Sequence, residues 1–288
     1  MFIELIDVLI SGITNGSVYA LMAIGMALVY GVSKVFNFAY GSFYSLGGYI
    51  AWLLFTSGLN YFFVFIVSIP ILFIIGMAAE KYAIRPLRAR DDWEMTAVMM
   101  TLGLALFLDN FYLVVFGPKV KSIPMLSEDY LSLGEIVFSI QDIIIFISAI
   151  FIMAAFIIFL GKNRWGMAIK AVASNMTGAQ IVGIPKDKIF NYSFAMSVVL
   201  VGISGILLAP KTFISPMGGW GIMLKAWVIT ALGGMGSIKG SLVAAFVLGI
   251  VEAIVAWQFG FTYVWFAWFL ILLVTLVIRP QGFFGTWG

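Results

Sequence analysis

Residues 161–184 read Gly161-Lys162-Asn163-Arg164-Trp165-Gly166-Met167-Ala168-Ile169-Lys170, then Ala171-Val172-Ala173-Ser174-Asn175-Met176-Thr177-Gly178-Ala179-Gln180-Ile181-Val182-Gly183-Ile184. Apolar runs of membrane length flank this segment, one ending at Leu160 and one beginning at Ile189. Between them, residues 161–188 carry five of the chain's sixteen Lys and Arg residues and a single acid, Asp187. A basic connection between two greasy runs reads as a loop outside a bilayer joining two helices within it. So long a polar segment in so apolar a chain points to something soluble docking there. Its own pattern predicts a short amphipathic helix. Ile169, Val172, Ile181 and Ile184 would anchor it, while the small Ala171, Ser174, Gly178 and Ala179 would admit a partner surface. Gly183 and Pro185 would end it. An interfacial helix lying on the bilayer fits the same residues.

Composition agrees with a membrane chain. Of 288 residues, 63% are apolar and 10% are charged, and the mean hydropathy is +1.11. Soluble domains average about 25% charged residues. The apolar runs are continuous, not alternating, which selects a helical bundle over a β-barrel. With no cysteine and no histidine, a disulfide framework, a thiolate site and the commonest metal ligand and general base are all excluded. No cluster of carboxylates falls in one span, which disfavours a membrane-embedded enzyme. The acidic start, Met1-Phe2-Ile3-Glu4-Leu5-Ile6-Asp7, lacks the basic region of a cleaved signal peptide.

The expected fold is all-α, a polytopic transmembrane bundle of eight or nine spans in one domain covering 1–288. Candidate spans lie at about 8–29, 36–55, 62–82, 95–116, 137–160, 189–209, 221–236, 241–258 and 262–278, each close to the ~20 residues a crossing needs. The Gly-rich seventh is short and reads as a broken or re-entrant helix. Placing the 161–188 loop in the cytoplasm puts twelve basic residues inside, including Lys34 and the 81–94 loop (Lys81, Arg85, Arg88, Arg90), and three outside, Lys119, Lys121 and Lys211. The positive-inside rule favours that direction. It puts the N-terminus outside, the C-terminus in the cytoplasm, and the 117–135 loop with Glu128, Asp129 and Glu135 on the outer face. Trp93 and Trp165, beside the basic loops, suit the headgroup zone.

Two glycine-interrupted segments, Tyr30 to Gly48 and Pro216 to Gly240, fall in opposite halves of the chain. Such pairs point to a midplane pathway built from broken helices. Glycines that merely permit tight helix crossings are the competing explanation. Ionisable residues inside spans are costly and are usually functional. Asp109 lies in the fourth span, Glu252 in the eighth and Lys225 in the seventh. Each lines a polar pathway or pairs across helices for structure; Tyr112 and Asn110 stand close enough in sequence to satisfy Asp109. Residues 233–240 resemble a phosphate loop only superficially, because Lys239 is followed by Gly240 and not by Ser or Thr. A nucleotide-driven process would therefore need a separate nucleotide-binding subunit.

Over essentially its whole length the chain resembles the membrane-spanning permeases of branched-chain amino acid ATP-binding cassette importers, closer to the shorter of the two partner permeases. The resemblance rests on Gly12 to Gly31, on Asn37-Phe38-Ala39-Tyr40-Gly41 (with Tyr40 where the family has histidine), and on Glu80 with Arg85-Pro86-Leu87-Arg88. It continues through Ala171-Val172-Ala173, Ala179 and Gly183-Ile184, Gly233-Gly234-Met235-Gly236-Ser237-Ile238-Lys239-Gly240, Gly249 with Glu252, and Arg279 to Gly285. It implies a permease with no cofactor, no bound metal and no catalysis of its own. Implied partners are two ATPase subunits, a second homologous permease and an extracytoplasmic binding protein delivering an amino acid; no nucleic acid is implied. The implied ATPase-coupling residues are Ala171, Ala173, Asn175, Ala179, Gly183 and Ile184, with Arg85 and Arg88 as an electrostatic collar. The implied pathway residues are Asn37, Phe38, Tyr40, Asp109 and Glu252. Relatives moving urea or short amides keep a second substrate class open, and an ion-driven secondary transporter is the alternative of a different kind.

Overall fold

The computed structural model describes residues 2–127, 129–133 and 136–285; Glu128 and Glu135 lie outside these. Among the described residues eleven α-helices follow one another: α1 (Phe2–Ser33), α2 (Tyr40–Thr56), α3 (Tyr61–Ala79), continued by a π turn (Glu80–Ile84) and a 3-10 turn (Arg85–Ala89), α4 (Trp93–Phe116), α5 (Ile140–Lys162), α6 (Arg164–Ser174), α7 (Met176–Ile181), α8 (Lys186–Leu208), α9 (Gly219–Gly233), α10 (Ile238–Phe259) and α11 (Thr262–Ile278). A two-stranded antiparallel hairpin, β1 (Tyr130–Leu133) and β2 (Ile136–Ser139), precedes α5. Apart from this short hairpin, the named elements among the described residues are helical, in keeping with the expected helical fold.

Among the described residues, six helical segments are long and apolar enough to cross a membrane: Glu4–Ser33, Tyr61–Ala89, Trp93–Phe116, Ile140–Lys162, Lys186–Leu208 and Ile238–Phe259. The remaining three expected spans fall on α2, α9 and α11, of 17, 15 and 17 residues. At ~1.5 Å per residue these reach about 22–25 Å, short of a ~30 Å hydrocarbon core. Six crossings is thus what length and composition carry, against the eight or nine expected. The shortening has a local cause. Residues 34–37 are not helical, and Lys34 takes φ 58°, so α2 starts at Tyr40 and not at 36. Pro210 and Pro216 bound the irregular segment before α9, and proline interrupts the helical hydrogen-bond ladder.

Two helices, α1 and α8, form the centre. Their most apolar windows are 89% and 78% buried, against 22–28% for the corresponding windows of α3, α4, α5 and α10, so the latter present broad apolar faces outward. Small residues let the central helices touch backbone to backbone. A Cβ on Gly47 of α2 would overlap the Gly202 carbonyl of α8, and one on Gly219 would overlap the Gly41 carbonyl. These glycines serve close crossings, and non-helical segments lie beside them.

Basic residues collect at one end of the bundle. Lys34 lines a groove with Asp91, Asp92 and Glu94; Arg85 and Arg88 both reach Asp187; Lys170 and Lys239 line another groove with Gly31 and Phe284. At the opposite end Lys211 pairs with Asp142, and Lys121 bridges to Ile214 and lies over the Trp52 ring.

Candidate functional site

The basic loop folds as two helices, not one. The Asn163 side chain caps α6 by accepting from Trp165 N at 2.9 Å. Asn175 then leaves helical geometry (φ −151°, ψ 101°) and caps α7, its Oδ1 accepting from Gly178 N at 2.8 Å. An Asn side chain that satisfies the first amides of a new helix makes a break at this position cheap. Gly183 ends the unit with φ 82°, a conformation that glycine adopts without strain.

Ile169, Val172 and Ala179 are buried against the bundle. Ile184 is half-buried, its amide closing the turn onto the Ala179 carbonyl at 3.0 Å. Ala171 and Ala173 are half-buried, whereas Asn175 and Gly183 are exposed. Ile181, expected as an anchor, instead projects outward: it is 81% exposed and Val182 is 75% exposed. The break at Asn175 rotates α7 relative to α6, so a single helical face no longer runs through both. The outermost surface of the loop is therefore Thr177, Gln180, Ile181 and Val182. Sequence reasoning missed this pair of solvent-facing aliphatics; two adjacent apolar residues just before a Gly-Ile-Pro exit were the available signal.

Beneath the loop lies an ionic cluster. Arg88 pairs with Glu80 and, at 3.0 Å, with Asp187 in the first turn of α8; Arg85 reaches the other Asp187 oxygen at 3.1 Å. Asn191 donates to Glu80 at 2.6 Å and to the Met77 carbonyl at 2.9 Å, and the Arg88 guanidinium stacks over Phe190, 4.2 Å from its centroid. Arg88 is thus buried and engaged, and of the expected collar Arg85 alone offers an exposed face.

The expected pathway residues separate into three places. Asn37 is buried, its Oδ1 accepting from Ala39 N at 3.0 Å, while its Nδ2 has no partner among the described residues. It borders a void of about 30 Å³ shared with Thr101 and Arg88, enough for a water molecule. Phe38 donates its amide to Thr101 Oγ1 at 3.1 Å and packs edge-on to Trp227. Tyr40 is fully buried and gives its hydroxyl to the Met22 carbonyl, so it presents no polar atom to a passage.

Asp109 binds two neighbours that the sequence did not indicate. Ser42 Oγ donates to one carboxylate oxygen at 2.7 Å and Trp220 Nε1 to the other at 2.7 Å. Asn110 turns instead to the Leu106 carbonyl, and Tyr112 to the Ser42 carbonyl. Asp109 thereby ties α2, α4 and the start of α9 together.

Glu252 and Lys225 find each other. Lys225 Nζ lies 2.8 and 2.9 Å from the two Glu252 oxygens and 2.6 Å from the Tyr19 hydroxyl, which itself donates to Glu252 at 3.0 Å. The rings of Tyr19, Trp268 and Trp265 surround the ammonium at 4.6, 5.3 and 5.7 Å. Opposite charges paired inside aromatic walls form a neutral unit tolerable at membrane depth. Trp220 and Lys225 stand five residues apart on α9, about 140° around its axis, so the Asp109 and Glu252 clusters flank α9 on different sides.

Comparisons with known proteins agree along the whole chain. Residues 8–278 match the family model described as "Branched-chain amino acid transport system / permease component". The chain is 32% identical over 292 residues to the high-affinity branched-chain amino acid transport system permease protein BraD of Pseudomonas aeruginosa, covering 96% of this chain and 94% of that protein. It is 28% identical to the corresponding permease protein LivH of Escherichia coli, covering 99% and 96%. A probable LivH of Methanocaldococcus jannaschii is 27% identical, covering 96% and 92%. On this agreement the chain belongs to the family of permease components of branched-chain amino acid transport systems.

Proposed function

We propose that this chain is the permease subunit of an ATP-driven importer for branched-chain or similar amino acids. Together with a second homologous permease it forms the passage. Two ATPase subunits dock on the cytoplasmic loops of the pair, the loop built from α6 and α7 being this chain's contact, and an extracytoplasmic binding protein delivers the substrate at the opposite end. The observation that carries this reading is the loop itself: buried Ile169 and Val172 fix α6 to the bundle, while Ile181 and Val182 stand free beyond it. A helix that is rigidly held yet projects an apolar tip is what a lever needs. The segregation of basic residues to that end supports a cytoplasmic loop, an outer N-terminus and an inner C-terminus. Under this orientation α11 supplies a ninth crossing, and α2 and α9, too short to span alone, meet irregular segments that complete theirs from within protein, where broken helices are tolerated.

Motion then has a defined route. ATPase closure pushes α7; Gly183 and Pro185 pass the displacement to α8; α8 touches α2 at Gly47 and Gly202, so the two helices move as a pair. Alternating access follows from rigid elements rocking about close contacts.

The test is uptake of radiolabelled leucine by proteoliposomes holding the chain with its partner permease and ATPases. Uptake that requires internal ATP and external binding protein is the expected result. Ion-gradient-driven uptake by the chain alone would overturn the proposal, and uptake of urea or acetamide in place of leucine would reassign the substrate.

A further inference from the structure

At the end of the bundle opposite the α6–α7 loop lies a chamber of about 310 Å³, between α1, α2, the end of α8 and the start of α9, at the lower end of the size of small-ligand clefts. Lys225 reaches into it from the Glu252 cluster. The α9 N-cap Gly218 and, on α9, Ile222 and Lys225 are spaced four and three residues apart and share one face, and all three line the chamber. The positive end of the α9 dipole and the Lys225 ammonium therefore converge on one space. Asn15 and Ser45 add neutral polar groups, and Leu208, Ile214 and Ile222 add an aliphatic wall. A cation, a helix start, hydrogen-bonding groups and a hydrocarbon wall in one cleft match an amino acid with an apolar side chain.

We infer that this chamber is a subsite for such an amino acid, its carboxylate on Lys225 Nζ and its side chain against Ile214 and Ile222. This rests on the reading of the chain as an amino-acid permease and gives that passage a specific receptor. Lys225 now spends two contacts on Glu252 and one on Tyr19. Tyr19 keeps its own bond to Glu252 Oε1, so Glu252 stays hydrogen-bonded when Lys225 turns one donor toward an arriving carboxylate. The substrate ammonium faces Asn15 and Ser45. Lys225 thus reaches the external carboxylate while keeping a donor on Glu252, so neither carboxylate is left without a hydrogen-bond donor, which matters because an isolated ion at this depth is costly.

The experiment uses the chain assembled with its partner permease and ATPases in nanodiscs, without binding protein, and reads saturation transfer from the protein to L-leucine and to leucinamide, which lacks the carboxylate. Leucine is expected to receive transfer and leucinamide not. Two variants probe the site independently. The double substitution Lys225→Met with Glu252→Gln removes both charges together, and Thr212→Trp crowds the mouth while leaving the ion pair intact. The double substitution is expected to weaken apparent leucine affinity on the order of ten-fold, the value of a charge-assisted contact, and Thr212→Trp to weaken it by obstructing entry. Leucine affinity unchanged in Thr212→Trp, or leucinamide competing as well as leucine, overturns the subsite. Uptake measured on the same preparations separates the two readings. Wild-type transport with variant-insensitive leucine binding removes the subsite alone, whereas leucine bound in the chamber without any transport removes the transport reading alone.

Discussion

Arg88 and Asp187 lie 99 residues apart in sequence and 3.0 Å apart in space, joining the turn after α3 to the first turn of α8. Asp187 follows the α6–α7 loop by only a few residues, so the pair fastens the loop's exit to a second element at the same end of the bundle. Arg88 also holds buried Glu80, and Asn191 of α8 closes the circuit from the other side. A displacement of the loop must therefore carry α8 and the 80–90 turn together or break this cluster.

Breaking it at its two ends has unequal consequences. Arg88→Gln strands Glu80, whose side chain is 2% exposed, and losing one partner of a buried pair costs about 3–5 kcal/mol, lessened here by the Asn191 bond. Asp187→Asn alters a side chain that is 46% exposed and should cost about 1 kcal/mol or less. Thermal unfolding in detergent should show a clear loss for the first and almost none for the second. In assembled transporter, Asp187→Asn should lower leucine taken up per ATP hydrolysed. Equal unfolding temperatures for the two variants would contradict the structural argument, and unaltered coupling would remove Asp187 from the route of motion.

The exposed tip of α7 makes a different prediction. Ile181→Asp and Val182→Asp place charge where water already reaches, so the isolated chain should unfold within about 0.5 kcal/mol of wild type. Co-purification of the ATPases should fall roughly ten-fold or more, since an apolar anchor is replaced by a carboxylate. Val172→Asp, by contrast, buries a charge on the inner side of α6 and should destabilise the chain itself. ATPase recovery unaffected by either tip substitution would mean that the partner docks elsewhere.

Much of this architecture was readable in the order of residues, and the exceptions share one cause. Continuous apolar runs located the long helices because span length is a local property. The loop's basic character, its glycine exit and its buried Ile169 and Val172 were equally local. What escaped were relationships between helices. Glu252 and Lys225 are separate charges in the sequence and one neutral unit in space, and nothing local records which faces of α9 and α10 turn toward each other. Asp109 likewise meets Ser42 and Trp220 from two other helices and not its neighbour Asn110. The break at Asn175 did carry a local signal, an Asn three residues before Gly178, but the surrounding Ala, Met and Gln are good helix formers and masked it. Irregular backbone at 34–37 falls at the break expected between the first two spans and runs two residues further than expected.

Close crossing of α2 and α8 leads to a paired substitution. Gly47→Leu forces a side chain into the Gly202 backbone and should destabilise the chain by about 1–3 kcal/mol or more, the usual cost of overpacking. Gly103→Leu, on the outward face of α4 where nothing lies within 4 Å, should leave the unfolding temperature of the isolated chain unchanged or slightly raised, because leucine favours helix over glycine. Thermal denaturation followed by circular dichroism distinguishes them; similar melting of both variants would mean that α2 and α8 are not in backbone contact.

Asn175 offers the sharpest test of the lever. Its side chain holds the Gly178 amide, and its extended backbone sets the angle between α6 and α7. Asn175→Ala removes the cap, worth about 1 kcal/mol, and introduces the strongest helix former at the break. The expected outcome is a loop in which α6 runs on toward α7, with Ile181 and Val182 redirected relative to the buried Ile169 and Val172. Hydrogen exchange should register this directly: the Gly178 amide gains an ordinary helical acceptor and the Asn175 turn no longer exchanges as a separate unit. Asn175→Asp keeps an accepting oxygen at the same place and should preserve both the break and the coupling. The stability of the bundle should be indifferent to either substitution, because Asn175 is exposed. Loss of ATP-coupled uptake in Asn175→Ala with retention in Asn175→Asp would tie function to the angle between the two helices. Uptake retained equally in both would show that the bend is incidental and that only the apolar tip matters.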